Sequence, residues 1–450
     1  MLIGRRVRDA DMVRSSVLSA RRINQTRRRT AGSRPNRETV VNHAAPHLTN
    51  SQPPAPRVEG PPDYRAVGRH GMFPETTHDE IERLNYLAQM NRHLAVRVLP
   101  FVRAAWEERV EPALEAAGKT PTHRHEVRQA LGGDPMFKTW SALRRMTMEQ
   151  RQQAGRWTVL RQAEALAARA AALTAGDARL SLDPSVEIPR YVGAVDHHAM
   201  PGSYHAERFP GDVAQAANYD HAIFATTGGL LGRYSDGAGH GIVRWLRRQM
   251  PDFAPRRILE IGATLGHSLL PIAAAFPEAE LVAVDLGAPM LRYGLARAKS
   301  LGIENVRFVQ ADGSRLDQFP DGSFDWVQTT MFLHELSRPS MRDIFRECFR
   351  LLRPGGIMLH VEQPQYGPDM PLFEQAMRDW DTFNNNEPFW STMHGIDLNA
   401  LMTDVGFAPE NFIHGGVTGV VDTEVFPDAA DDDTEDFGRK AAWHLTGARR

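Results

Sequence analysis

At 450 residues the chain is long for one compact unit, and its 42% hydrophobic and 24% charged residues allow a sizeable core and exclude wholesale disorder. The formal net charge is −2 at pH 7, so the molecule as a whole carries no polyanion-binding signature. Arginine outnumbers lysine 49 to 4, a bias better read as genome composition than as function. A single cysteine, Cys348, excludes an internal disulfide and a multi-cysteine metal site; within "IFRECFRLL" it reads as a small buried apolar residue. No apolar stretch approaches the roughly 20 residues a membrane span needs, and no signal-peptide core is present. The expectation is a soluble, cytoplasmic protein.

Residues 1–40 carry eleven arginines against three acidic residues. Such a stretch reads as a disordered tail or an overextended start, with a transit peptide or a basic nucleic-acid arm as the other readings. It runs into "PHLTNSQPPAPRVEGPPDY", so residues 1–76 are expected to be a tail and a proline-rich linker that cannot pack. From about Thr77 helical periodicity takes over. Ile81, Leu84, Leu87, Ala88, Leu94 and Val98 fall near one face, with Pro100 as a break or kink. A further helix, "QRQQAGRWTVLRQAEALAARAAALTAG", stops at Gly176. Residues 77–180 are expected to be a helical domain serving as scaffold, lid or dimerisation surface; no clustered basic recognition helix suggests DNA binding.

Residues 181–245 read as an irregular connector or substrate lid, rich in His, Tyr and Gly. His197, His198 and His205 crowd into nine residues, but their spacing is not that of a helical His pair and no cysteines accompany them. No metal site is expected. In residues 246–450 strands alternate with helices: "RRILEIG", "AELVAVDL", "NVRFVQAD", "FDWVQTTMFL" and "GIMLHVEQ", with helices near 267–276, 288–301 and 339–352. Alternation of this kind implies right-handed crossovers and a parallel sheet covered on both faces. A short helix "LNALMTDVGF", a strand near 411–421 and a last strand in "AAWHLTGARR" follow, with Asp431, Asp432 and Asp433 in a solvated loop between the two strands.

The turn after the first of these strands reads "LEIGATLGHS". A dinucleotide loop wants G-x-G-x-x-G so that a pyrophosphate can approach backbone N–H groups; counting from Gly262, those slots hold Thr264 and His267. What stands here is E-x-G-x-x-x-G: Glu260, Gly262, Gly266. A ligand without phosphates needs only a close turn, and Glu260 suits a cationic amine. Asp285 ends the next strand, where a carboxylate can accept from both ribose hydroxyls, and Asp312 in "QADGS" ends the third, where an acceptor can meet an adenine amino group.

Taken in order, "LEIGATLG", "VAVD", "QADGS", "FPDGSFDWVQTTMFLHEL" and "RLLRPGG" resemble the class I S-adenosylmethionine-dependent methyltransferases over roughly residues 250–365, within them the ubiquinone and menaquinone type. The resemblance implies a Rossmann-like, doubly wound, seven-stranded, mostly parallel sheet, with S-adenosylmethionine as cofactor. Glu260, Gly262 and Gly266 would hold the methionine part, Asp285 the ribose, and Asp312 with Gly313 the adenine. Thr329 and Thr330 would border the methionine and sulfonium. Thr264 departs from the family's usual glycine, and a positive φ there would strain a Thr.

Methyl transfer from a sulfonium is an in-line displacement in which alignment and exclusion of water dominate. A base helps when the acceptor is a hydroxyl or an enolisable carbon. His334 is the candidate base, with a packing or cofactor contact as the other reading. Glu335 reads as the start of a helix. Glu362, on the same side of its strand as His360, either orients the substrate or caps a buried backbone donor. Tyr204, Tyr219, Trp380, Phe383, Phe389 and Trp390 could line a pocket for an aromatic or lipidic small-molecule acceptor, although most are expected to seat the helical domain instead. Nucleic acid is disfavoured as a substrate: "TTMFLHEL" stands where amino-methylating DNA enzymes carry D/N-P-P-Y/F. The expectation is methyl transfer to O, C or N of a small organic acceptor. The alternative is a catalytically weak scaffold that binds the cofactor or a protein partner. A homodimer through the helical domain is the expected assembly.

Overall fold

The computed structural model describes residues 60–419 and 442–450. The Arg-rich tail, much of the proline-rich linker and the acidic run at Asp431–Asp433 lie outside the described residues.

Among the described residues, eight strands form one sheet in the order β1-β4-β3-β2-β5-β6-β8-β7. They are β1 (Leu180–Ser181), β2 (Arg257–Ile261), β3 (Glu280–Asp285), β4 (Val306–Gln310), β5 (Phe324–Thr330), β6 (Leu352–Glu362), β7 (Phe412–Thr418) and β8 (Ala442–Arg449). The first six pair in parallel; β8 runs antiparallel between β6 and β7. All seven expected strands are present, and the count is corrected to eight by β1. Its two residues pair with Phe308 and Val309 of β4 and are too few to show any alternation in sequence.

Strand alternation sends neighbouring residues to opposite faces. Ile258, Leu281, Ala283, Phe308 and Trp326 pack on one side against helices Gly237–Gln249, Leu269–Ala275 and Ala288–Ser300. Leu259, Ile261, Val282, Val284 and Val327 pack on the other against Arg338–Leu351 and Leu398–Val405. Both faces being covered explains why β2 and β3 read as continuous apolar runs. Cys348 is buried in the second layer, as its setting in sequence implied.

The helices before residue 180 form apolar clusters of their own, one of which reaches the sheet's helices. Thr77 caps His78–His93 through a reciprocal pair in which Glu80 N–H donates to Thr77 Oγ1 and Thr77 N–H to Glu80 Oε2. Around Pro100 the chain widens into a π turn, Leu94–Val98, before helix Leu99–Ala105 resumes with the proline in its first turn, where no N–H is needed. The long expected helix splits into Pro135–Leu160 and Ala163–Thr174. Val159, Ala163, Leu166 and Ala170 from these two pack with Met290, Tyr293 and Ala296 of Ala288–Ser300.

Two stretches fold where the sequence suggested none. Residues 60–76, expected within the linker, bury Tyr64, Met72 and Phe73. Within the connector, "AQAANYDHA" forms helix Ala214–Ala222, buried almost all round. A helix with no solvent face has no 3.6-residue pattern to betray it. Its polar side chains bond inward: Asn218 to Gln152, His221 to Tyr64, and Asp220 to three partners. Helix Gly237–Gln249 needs glycine near its start, because a Cβ at Gly239 would stand 2.2 Å from the Ser268 carbonyl oxygen.

Asp220 holds three parts of the fold together. Oδ1 accepts from His267 Nε2 at 2.8 Å, and Oδ2 from His70 Nε2 at 2.8 Å and Tyr293 OH at 2.7 Å. Burial disfavours its charge, but His70 and His267 more than compensate and hold its carboxyl well below the usual range. Asp220→Ala strands three buried donors and should lower the free energy of unfolding by about 3 kcal/mol, measurable as a shifted midpoint in denaturant.

Candidate active site

β2 has β3 on one side and β5 on the other, so the chain leaves the centre of the sheet in opposite directions on either side of it. Open parallel sheets bind ligands at such a switch point, outside the carboxyl ends of the strands. Glu260 sits there, 2% exposed. Its Oε1 accepts from Gln328 Nε2 at 3.0 Å and Thr330 Oγ1 at 2.9 Å, whereas Oε2 is buried without a hydrogen-bond partner. Burial pushes its carboxyl up to about 7 against the two hydrogen bonds from Thr330 and Gln328. A buried carboxylate with one bare oxygen fits a cationic ligand such as the ammonium of S-adenosylmethionine.

The turn that follows has Gly262 at φ +72° and Gly266 at φ +84°. A Cβ at Gly262 would lie 2.2 Å from the Phe332 ring, so the site tolerates no side chain there. Thr264 does adopt the left-handed conformation, at φ 48°. In that conformation its N–H donates to Asp285 Oδ2 at 2.9 Å, while Gly287 N–H donates to Oδ1 at 2.8 Å. Each oxygen keeps a lone pair for a further donor. Burial raises the Asp285 carboxyl to about 6 despite these two N–H groups.

Asp312 follows β4 in a local turn, where its Oδ1 accepts from the Ser314 N–H at 2.8 Å and hydroxyl at 2.7 Å. Gly313 lies against Ile261, and a Cβ there would meet Cγ2 at 2.2 Å. Thr330 shares the face of Glu260 and bonds it. Thr329, one residue earlier, turns the other way: its hydroxyl pairs with His360 Nδ1 at 2.7 Å, and the His360 ring stacks on Phe345. The alternation of β5 thus separates the two threonines, and the Thr329 side chain does not join the carboxylates.

His334 and Glu362 form a buried pair, Nδ1 to Oε2 at 2.9 Å. Glu362 Oε1 accepts the backbone N–H groups of Phe332 and Leu333. The two backbone donors on Oε1 fit the capping reading, while Oε2, with His334 as its one donor, keeps a lone pair for a further group. Burial by itself would depress the His334 imidazolium. Glu362, with Glu387 and Glu335 behind it, reverses this and holds it up to about 9. Glu362 thus favours the charged form of His334. Glu335 does not start the next helix; Ser337 caps it, accepting from Ser340 N–H. Glu335 instead accepts from Tyr204 OH at 2.9 Å and faces His198 and His197, which with His334 hold its carboxyl low although burial opposes this.

Of the aromatic candidates, Trp380 is core, packed on Trp140 with its indole N–H on Ser141 Oγ. Phe383 is exposed and covered by the Arg128 guanidinium. Tyr204 and Tyr219 form an edge-to-face pair beside His198, and Trp390 stands against His334. Asp220, His267 and Glu387 were not singled out from sequence. The first two lie on a helix without a pattern and in a glycine slot; the third follows a run of asparagines with nothing local to mark it.

Residues 258–356 match the family described as "Methyltransferase domain". Demethylmenaquinone methyltransferase from Thermus thermophilus is 34% identical over 125 residues, 27% of this chain and 55% of that protein. A ubiquinone/menaquinone biosynthesis C-methyltransferase from Pseudomonas syringae is 39% identical over 163 residues, 32% of this chain and 61% of the relative. The uncharacterized methyltransferase YcgJ of Bacillus subtilis is 34% identical over 122 residues, 27% of this chain and 46% of its own. The crystal structure of YcgJ aligns with 47% of this chain and 96% of its own at 21% identity and a TM-score of 0.31. The chain thus spans roughly half the length of the curated relatives it matches. Within that span, residues 258–356 are a methyltransferase domain of the class I, S-adenosylmethionine-dependent kind, resembling those of the quinone methyltransferases.

Proposed function

We propose that the protein transfers a methyl group from S-adenosylmethionine to an O, C or N atom of a small organic acceptor. The observation that carries this reading is the row of carboxylates Glu260, Asp285 and Asp312 at the tips of the neighbouring strands β2, β3 and β4, with Glu260 Oε2 buried and unpaired. The cofactor supplies an electrophilic methyl on sulfur. Glu260, fixed by Gln328 and Thr330, takes the ammonium; the Gly262–Gly266 turn admits the methionine backbone; Asp285 takes the ribose; Asp312 and Gly313 face the adenine.

His334 pairs with Glu362, which orders the turn after β5 through the Phe332 and Leu333 N–H groups, and stays the candidate base of this reading. The protein contributes alignment and exclusion of water. The rings of Tyr204, Tyr219 and Trp390 support a planar acceptor, in keeping with relatives named for quinone biosynthesis. Self-association through the helical segment is supported by Tyr86, Phe101 and Trp157, exposed by 54%, 62% and 68%. Sedimentation velocity should show a dimer that Phe101→Ser/Trp157→Ser reduces to monomer. No helix among the described residues is long and apolar enough to cross a membrane.

Titration calorimetry with S-adenosylmethionine and product analysis with a labelled methyl donor test the reading directly. Only the ionised form of Glu260 attracts the ammonium, so affinity should rise about tenfold from pH 5.5 to 7 and level off above its pKa of about 7. Glu260→Gln should bind more weakly and lose that slope. Because its folded pKa is raised, Glu260 stabilises the fold most below about 4.5 and loses that contribution as pH climbs through about 7. Gly262→Ala drives a methyl into Phe332 at positive φ, and should weaken cofactor binding at least about tenfold while costing about 1–3 kcal/mol of stability.

A further inference from the structure

The geometry points to a divalent transition-metal site formed by His198, Glu335 and Glu387 beyond the carboxyl edge of the sheet. The three residues come from separate segments: the turn His197–Ala199, the turn Leu333–Glu335 after β5, and the loop before helix Trp390–His394. Each offers one ligand atom, and these atoms lie within 4.8 Å of one another. Atoms bound to a common ion at ~2.0–2.2 Å stand up to about 4 Å apart, so side-chain adjustment closes the cluster. One imidazole nitrogen with carboxylate oxygens suits Zn2+, Co2+ or Mn2+ better than Mg2+ or Ca2+, which favour all-oxygen shells.

The second observation is Glu387 itself. It is 0% exposed, and neither of its oxygens has a hydrogen-bond partner. Oε1 lies 2.6 Å from His198 Nδ1, close enough for an ion pair but without hydrogen-bond alignment. A buried carboxylate whose near partner is one imidazole, with no aligned hydrogen bond on either oxygen, is expensive, and a cation would satisfy both oxygens. His197 repeats the pattern: 0% exposed, with Nε2 unpartnered and 3.8 Å from Glu335 Oε2, and with its other nitrogen on Ser203 Oγ. It offers a fourth ligand, oriented from behind as metal-binding imidazoles usually are. Tyr204 OH steadies Glu335 in the same way, and Asn386 Nδ2 ties the Glu387 loop to the Asp196 carbonyl at 3.0 Å. His205, the third member of the histidine-rich stretch, is not one of the three grouped residues.

On the methyl-transfer reading, an ion here would hold an oxygen of the acceptor beside the turn after β5. The test needs neither methyl donor nor acceptor, so its failure is distinct from failure of that reading. Full-length protein stripped with a chelator and dialysed against Co2+ should take up one ion per chain, with the visible absorption of a low-coordinate nitrogen–oxygen site, and release it to Zn2+. H198Q and E387Q should each weaken uptake about 100-fold while unfolding stays cooperative, whereas H205Q leaves it unchanged. Failure of the unmodified chain to bind Co2+ stoichiometrically would overturn the proposal, as would uptake that persists undiminished in E335Q/E387Q.

Discussion

A carboxylate sunk into the middle of a parallel sheet must meet a cation or keep its proton, and the organisation of this protein turns on that constraint at Glu260. The strand order places it between β3 and β5, where the crossovers part. Gln328 and Thr330 fix one oxygen and leave the other bare. The surrounding backbone is arranged around that bare atom. Gly262 keeps side chains away, Thr264 accepts an unfavourable φ, and Asp285 rewards it by accepting its N–H. The strain at Thr264 and the hydrogen bond to Asp285 are two sides of one local arrangement.

Over this edge the protein builds a roof from segments far apart in sequence. At one end Asp220 gathers His70, His267 and Tyr293; at the other Glu335 gathers His198, His197 and Tyr204. Tyr219 joins them, its ring 5.7 Å from His267 and 5.5 Å from Tyr204. Polar groups packed this densely with little water interact strongly, and each is costly if left unmatched. Glu362 offsets the cost of burying the His334 cation, whereas Glu387 has His198 near it but no aligned hydrogen bond on either oxygen.

Legibility in the sequence followed periodicity. β2, β3, β4 and β5 were readable because buried parallel strands form continuous apolar runs closed by turn residues, and their terminal carboxylates stood out against those runs. Two-residue β1 and the fully buried helix Ala214–Ala222 were not, one being too short and the other having no exposed face to set a period. Glu335 looked like the start of a helix because its position in the chain allows that role, and Ser337 two residues on took it instead.

The sequence by itself determined the alternating architecture, the ordered motifs of the methyltransferase domain and the three carboxylates that close successive strands. These are local properties, set by apolar period and by the turns that end each run. Only the tertiary structure decided that Thr329 faces away, that Glu362 meets His334 and two backbone donors, and that His198 meets Glu335 and Glu387. Those outcomes depend on which face a strand presents and on contacts between distant segments. Burial then sets their chemistry by removing the water that would otherwise screen each charge.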